Sequence, residues 1–97
     1  MRVISKRRLR EFWDVQKDAR PSLESWYRIA RAATWRSTED VKAAAPKVSV
    51  LSNDRFVFNI KGNRYRLVVR VKFKWSMVYV RWIGSHADYD RVDANTI

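Results

Sequence analysis

The chain predicts an α+β fold in which an N-terminal helical hairpin packs on a small antiparallel sheet. Three observations carry this prediction. Apolar residues recur at i, i+3, i+4 and i+7 in two successive segments between Leu9 and Ala30. From Arg55 onward the period switches to two, as half-buried strands require. Two turn signals, Lys61-Gly62-Asn63 and Lys74-Trp75-Ser76, then divide that second half into three strands. With 97 residues the chain holds one domain and one modest core. Helices are expected over about 6–45, sheet over about 55–83 and a C-terminal turn over about 84–91.

Met1 to Ile4 is short and compatible with β structure, and Ser5 is a suitable N-cap for a helix over about Lys6 to Asp18. Leu9, Phe12, Trp13 and Gln16 form its narrow stripe, with Arg7, Arg8, Arg10, Glu11, Asp14 and Lys17 mostly elsewhere. The basic run at its start reads as a solvated face. Pro21 suits the first turn of a second helix, whose stripe is Leu23, Trp26, Tyr27 and Ala30. Only a few residues around Ala19-Arg20 join the two helices, so they should lie antiparallel on the apolar side of the sheet, with Trp13, Trp26 and Tyr27 in the core. Ser37 to Asp40 offers a cap, Val41 to Ala45 a short helix stopped by Pro46, and Lys47 to Asp54 a polar loop.

In the sheet segment Phe56, Phe58 and Ile60 alternate with Val57 and Asn59, and Tyr65, Leu67, Val69 and Val71 alternate with Arg64, Arg66, Val68 and Arg70. One face is therefore apolar and the other rich in arginine. Between Arg55 and Trp82 there are eight basic residues and no acidic one. Like charges on one strand face repel unless an anion or an acidic partner relieves them. The plain alternative is a solvated sheet face.

Composition limits the partners. The net charge of +11, from 21 Lys and Arg against 10 Asp and Glu, suits nucleic acid, an acidic protein or an anionic surface. An apolar content of 46% with five Trp is enough for a packed core and unlike a disordered basic tail. There is no Cys and a single His, which removes disulfides and thiolate chemistry and leaves little to hold a metal. No cofactor is expected. No apolar run approaches a membrane span, and the basic start leads into a charged segment, so the expectation is a soluble cytoplasmic protein.

After Ile83, Gly84 ends the last strand and Ser85-His86-Ala87-Asp88 opens one helical turn. In that turn His86, Tyr89 and Asp90 stand at i, i+3 and i+4, on one side. The segments FNIKGNRYRLVVRV and VYVRWIGSHADYDRVDANTI resemble the HigB toxins of bacterial type II toxin-antitoxin systems, a branch of the RelE-like ribonucleases. The resemblance covers the C-terminal half closely, and the helical half is compatible with it. It implies a RelE/ParE-like fold and cleavage of mRNA, usually on the translating ribosome. It also implies neutralisation by a cognate DNA-binding antitoxin of the HigA type. Arg66, Arg81, His86, Tyr89 and Asp90 match the family pattern.

The chemistry has its own logic. Cutting RNA without metal makes the substrate's 2′-hydroxyl the nucleophile, which needs a base, an acid for the departing 5′ oxygen and cations for the crowded phosphoryl transition state. His86 is the best base or acid, and Asp90 can hold its tautomer. Tyr89 is either the second proton carrier or a stacking surface for the target base. Arg66 and Arg81 present forked donors to phosphate. Arg64, Arg70, Lys61 and Lys72 suit the RNA backbone, and Asn63 and Trp75 complete the RNA-contacting set, although hairpin-tip packing is the plainer role for Trp75. A non-catalytic RNA-binding module would use the same face without His86. A toxin of this architecture directed at DNA gyrase would need no proton carrier.

Overall fold

The computed structural model describes residues Met1–Ile97. In chain order the strands are β1 (Arg2–Ile4), β2 (Ser49–Val50), β3 (Arg55–Ile60), β4 (Tyr65–Lys72) and β5 (Met77–Ser85), and the helices are α1 (Lys6–Val15), α2 (Arg20–Ala32), α3 (Thr38–Ala44) and α4 (His86–Tyr89). They build one five-stranded sheet in the order β1-β5-β4-β3-β2. The two central pairings, β3 with β4 and β4 with β5, are those the alternation predicts. The two edges are additions: β1 runs parallel to β5, making the sheet mixed, and β2 forms inside the stretch expected to be loop. Both are too short to carry a periodic signal, and they exist because β5 and β3 offer unpaired backbone donors and acceptors.

The helical layer follows from its stripes. Leu9 and Trp13 of α1 and Leu23, Trp26 and Ala30 of α2 are buried with Val41 of α3 against Phe56, Phe58, Ile60, Leu67, Val69, Val71, Val78 and Val80 of the sheet. Each fully buried aliphatic of this size contributes about 1.5–3 kcal/mol of transfer free energy. Phe58 sits between two indoles, edge-on to Trp26 at 5.5 Å and stacked with Trp35 at 6.3 Å. Gln16, expected on the stripe, is exposed, because α1 stops at Val15.

That early stop matters. The chain tightens into a 3-10 turn over Lys17–Ala19 before α2, and this turn carries Asp18 to the β3–β4 hairpin. There the Tyr65 hydroxyl donates to Asp18 Oδ1 at 2.5 Å and Lys61 Nζ to Oδ2 at 3.1 Å, with Arg64 Nε 3.3 Å from the same oxygen. The hydroxyl's hydrogen bond, then that of the ammonium, holds the Asp18 carboxyl below its ordinary value, and the same carboxylate raises the Tyr65 phenol. One acid thus ties the helical layer to the sheet and neutralises part of a run of eight cations.

The pH dependence has a definite sign. A lowered Asp18 value means that the folded state binds this proton more weakly than the unfolded chain, so the stabilisation is complete above 3.8 and disappears as pH falls through the folded value beneath it. The raised Tyr65 value gives stability present below 10.0 and lost as pH climbs through the folded value above it. Urea titrations should therefore give Asp18→Asn a lower stability than the parent at pH 7, with the gap closing below 3.8. A gap that stays constant down to pH 2 would show that Asp18 acts by packing alone.

Candidate functional site

Helices cover one side of the sheet, and the site lies on the other. Register arranges that face in three rows across β3, β4 and β5: Asn59, Arg66 and Gly84; then Val57, Val68 and Trp82; then Arg55, Arg70 and Tyr79. Between the second and third rows β5 carries a bulge. Val68 pairs with Trp82 but Val69 with Val80, which leaves Arg81 without a partner. The extra residue lets Val78 and Val80 face the core while Tyr79, Arg81 and Trp82 all face outward.

The first row ends at the imidazole. β5 runs through Gly84 to Ser85, two residues beyond the predicted end, and Ser85 Oγ then accepts from the Asp88 amide at 3.1 Å to cap α4. The His86 amide donates to the Arg64 carbonyl at 3.0 Å, which pins the start of the turn to the β3–β4 hairpin. His86 Nδ1 stands 3.8 Å from Asp90 Oδ2, too long for a hydrogen bond but within ion-pair range once the ring is protonated. Both side chains are accessible, at 49% and 66% exposure. Arg66, on the neighbouring strand opposite Gly84, is held by Asn63, whose carbonyl accepts from Nη1 at 3.0 Å and whose side-chain oxygen accepts from Nη2 at 3.4 Å.

The middle row is apolar. Val57, Val68 and Ala94 are buried together, with Leu51, Trp82, Tyr89 and Ile97 packed around them. The C-terminal segment thus lies across the sheet centre. The Trp82 and Tyr89 rings meet at 6.1 Å, and Trp82 reaches over Gly84, where a Cβ would lie 2.5 Å from the indole Cη2. Glycine is needed there for space, not for backbone conformation.

The third row is cationic. Arg70 Nε donates to the Asn53 carbonyl at 3.1 Å, and Arg81 Nε to an oxygen of Ile97, the last residue of the chain, at 3.3 Å. Arg55, buried opposite Arg70, donates through Nε and Nη2 to the same Ile97 oxygen at 3.2 Å each. A shallow groove of about 330 Å³ is lined by Arg70, Lys72, Trp75, Tyr79 and Arg81.

The structure therefore sorts the residues singled out in the sequence into groups. His86, Tyr89 and Asp90 share α4 and its C-cap, and Arg66 with Asn63 stands on the adjoining strand and turn. Arg81 faces the same side but lines the groove with Arg70, Lys72 and Trp75. Lys61 and Arg64 turn toward the helices and pair with Asp18, because Arg64 lies in the hairpin turn before β4 begins. Asp18, Arg55 and Tyr79 were not singled out. Asp18 and Arg55 act through partners about 40 residues away in sequence, which no local pattern reports; Tyr79 was legible by alternation with Val78 and Val80.

Helices on one face of a small mixed sheet, with arginines, aromatics and a strand-end imidazole on the other, fit a RelE-like α+β fold. The family described as HigB_toxin, the RelE-like toxic component of a toxin-antitoxin system, matches residues 19–92, and the chain belongs to that family. Full-length relatives are more distant. The mRNA interferase HigB of Escherichia coli O6:H1 is 26% identical over 94 residues, covering 95% of this chain and 91% of that protein. The mRNA interferase toxin HigB of Escherichia coli K12 and the mRNA interferase HigB of Shigella flexneri are each 24% identical over 92 residues, covering 93% of this chain and 88% of theirs.

Gly84→Ala tests the middle row. The new methyl collides with a rigid indole, so Trp82 must leave its place and loosen Tyr89, at a cost of about 1–3 kcal/mol. Urea denaturation reads this as a lower midpoint. An unchanged midpoint would mean that Trp82 does not rest on Gly84.

Proposed function

We propose that the chain is a metal-independent endoribonuclease toxin that cleaves mRNA on the translating ribosome, is neutralised by a cognate DNA-binding antitoxin, and uses His86, Tyr89, Asp90, Arg66 and Arg81 for catalysis. The observation that carries this reading is the exposed imidazole of His86 at the end of β5, beside the strand that bears Arg66. Membership of the toxin family and the printed names of the relatives, mRNA interferases, support the substrate class.

In this reading the RNA 2′-hydroxyl attacks the adjacent phosphorus. The O2′–P bond forms, the P–O5′ bond breaks, one side chain removes the 2′ proton and another protonates O5′. His86 is one proton carrier. Asp90, 3.8 Å away, orients the ring when the substrate draws the two together. Tyr89 has its ring packed against Trp82, which leaves the hydroxyl as its chemical end and favours the second proton carrier over base stacking. The Arg66 fork, oriented by Asn63, and the Arg81 fork bind the phosphoryl oxygens, where charge grows in the transition state. Arg70, Lys72 and Trp75 contact the flanking RNA, while Lys61 and Arg64 add to its field from the hairpin turn.

Replacing His86 by Gln removes the titratable nitrogen and keeps a polar side chain of similar size. Cleavage of a model RNA should fall about 10²- to 10⁴-fold, with RNA affinity and thermal midpoint retained. In cells the parent should arrest growth with new mRNA 5′ ends inside translated frames. Growth arrest without new ends would sink the nuclease and leave a toxin with another target, such as gyrase.

A further inference from the structure

The groove at the third row has features that the cleavage chemistry leaves unexplained. Arg70 and Arg81 are each clamped at the Nε edge by a main-chain oxygen, of Asn53 and of the last residue, Ile97. Their Nη atoms donate to nothing, and no Asp or Glu side chain lies within ion-pair distance of either guanidinium. A clamp at Nε fixes the plane of the fork and leaves its other edge free for a bidentate anion. The Asn53 carbonyl is presented by a turn in which Asn53 and Asp54 both adopt left-handed backbone, at φ 57° and 59°. Strain of that kind persists where surrounding structure enforces it.

Aromatic surface lies beside these forks. Trp75 is 66% exposed and borders the groove with Tyr79, and Lys74 Nζ stands 5.3 Å from the centre of its indole. Four of the five Trp avoid such exposure. An indole in water, flanked by cations that lack anions, matches what an unpaired nucleotide presents: a flat base and a phosphate.

We propose that this groove is a nucleotide subsite separate from the cutting end, in which the free edge of Arg70, with Lys72, holds an RNA phosphate and Trp75 and Tyr79 take the attached base. The proposal rests on the reading of the chain as acting on RNA and adds how substrate is held away from His86. Arg81 is the link between the two ends. Along β4, Arg66 and Arg70 are four residues apart, about 13 Å in an extended strand. The subsite therefore holds RNA flanking the cut, not the scissile phosphate itself.

The test uses the full chain and 2′-O-methyl RNA oligonucleotides of two, four and six residues, which cannot be cut because the nucleophile is blocked. Anisotropy should show affinity rising with length for the parent. Trp75→Ala and Arg70→Gln should weaken binding of the six-residue ligand about tenfold and leave the two-residue ligand nearly unaffected. Trp75→Phe should restore most of the loss. The salt dependence should flatten by about 0.7 in log–log slope for Arg70→Gln and stay as in the parent for Trp75→Ala. Parent-like binding of the six-residue ligand by both variants would overturn the subsite. Cleavage of the matching unmodified RNA is read separately. A parent that binds through Trp75 but cuts nothing sinks the nuclease and keeps the subsite; a parent that cuts while both variants bind normally does the reverse.

Discussion

The bulge that leaves Arg81 without a partner on β4 changes the side to which every later residue of β5 points. Before it, Val78 and Val80 face the helices while Met77 and Tyr79 face outward. After it, Trp82 and Gly84 take the outward positions, and Ile83 packs on the core cluster. A regular strand from Met77 would have sent Ile83 outward and Trp82 into the helical layer. The strand would then have lost the indole that covers Gly84 and supports Tyr89. The exit direction of β5, and with it the place of His86, depends on that one added residue. Bulges recur where a side chain must be re-aimed without losing the sheet, and Arg81 is the side chain re-aimed here.

Charge is the second constraint. The sheet segment supplies cations without acids, and the fold answers in two ways. On the helical side Asp18 collects Tyr65, Lys61 and Arg64. On the outer side no Asp or Glu pairs with an arginine: Arg66 and Arg70 are oriented by the backbone carbonyls of Asn63 and Asn53, and Arg55 and Arg81 by an oxygen of Ile97, the last residue of the chain. The difference is chemical. A carboxylate neutralises a guanidinium, whereas a carbonyl dipole fixes its plane and leaves its charge in place. Arg55 and Arg70 stand directly opposite each other, an unfavourable pairing that the Ile97 oxygen accepting from Arg55 partly offsets. The acid is thus placed where the fold needs glue, and the net positive charge remains on the face free of helices.

What the sequence disclosed and what it withheld divide along the range of the interactions. Phe56, Phe58 and Ile60 against Val57 and Asn59, and the stripes Leu9-Trp13 and Leu23-Trp26-Ala30, were readable because sidedness in a strand or helix is a local, periodic property. The His86, Tyr89 and Asp90 spacing was readable for the same reason: one turn of helix sets it. Asp18 and Tyr65 are 47 residues apart and meet only because a helix ends early in a 3-10 turn. The parallel edge β1 and the two-residue β2 carry no period at all. The bulge was hidden in the run Val80-Arg81-Trp82-Ile83, where alternation breaks without announcing on which residue. The resemblance grouped Arg81 with Arg66, and in the folded chain Arg81 lines the groove beside Arg70.

The outer face is not a uniform basic plate, and that limits how a polyanion can lie on it. Its middle row is Val57, Val68 and Trp82, sealed by Ala94, Leu51, Tyr89 and Ile97. A charged backbone gains nothing from crossing that apolar seal and would lose hydration by doing so. Contacts with phosphate are restricted to the two polar rows on either side, and β4 and β5 are the strands that reach both. Arg81 projects from β5 at the bulge, next to Trp82 and toward the groove, so it bridges the rows where the apolar surface is interrupted. In the proposed reading, an RNA strand engaging both ends would pass by Arg81, which would separate proton transfer at His86 from grip at Arg70 and Trp75. Such a division lets one end vary with the sequence to be held while the imidazole and its turn stay fixed.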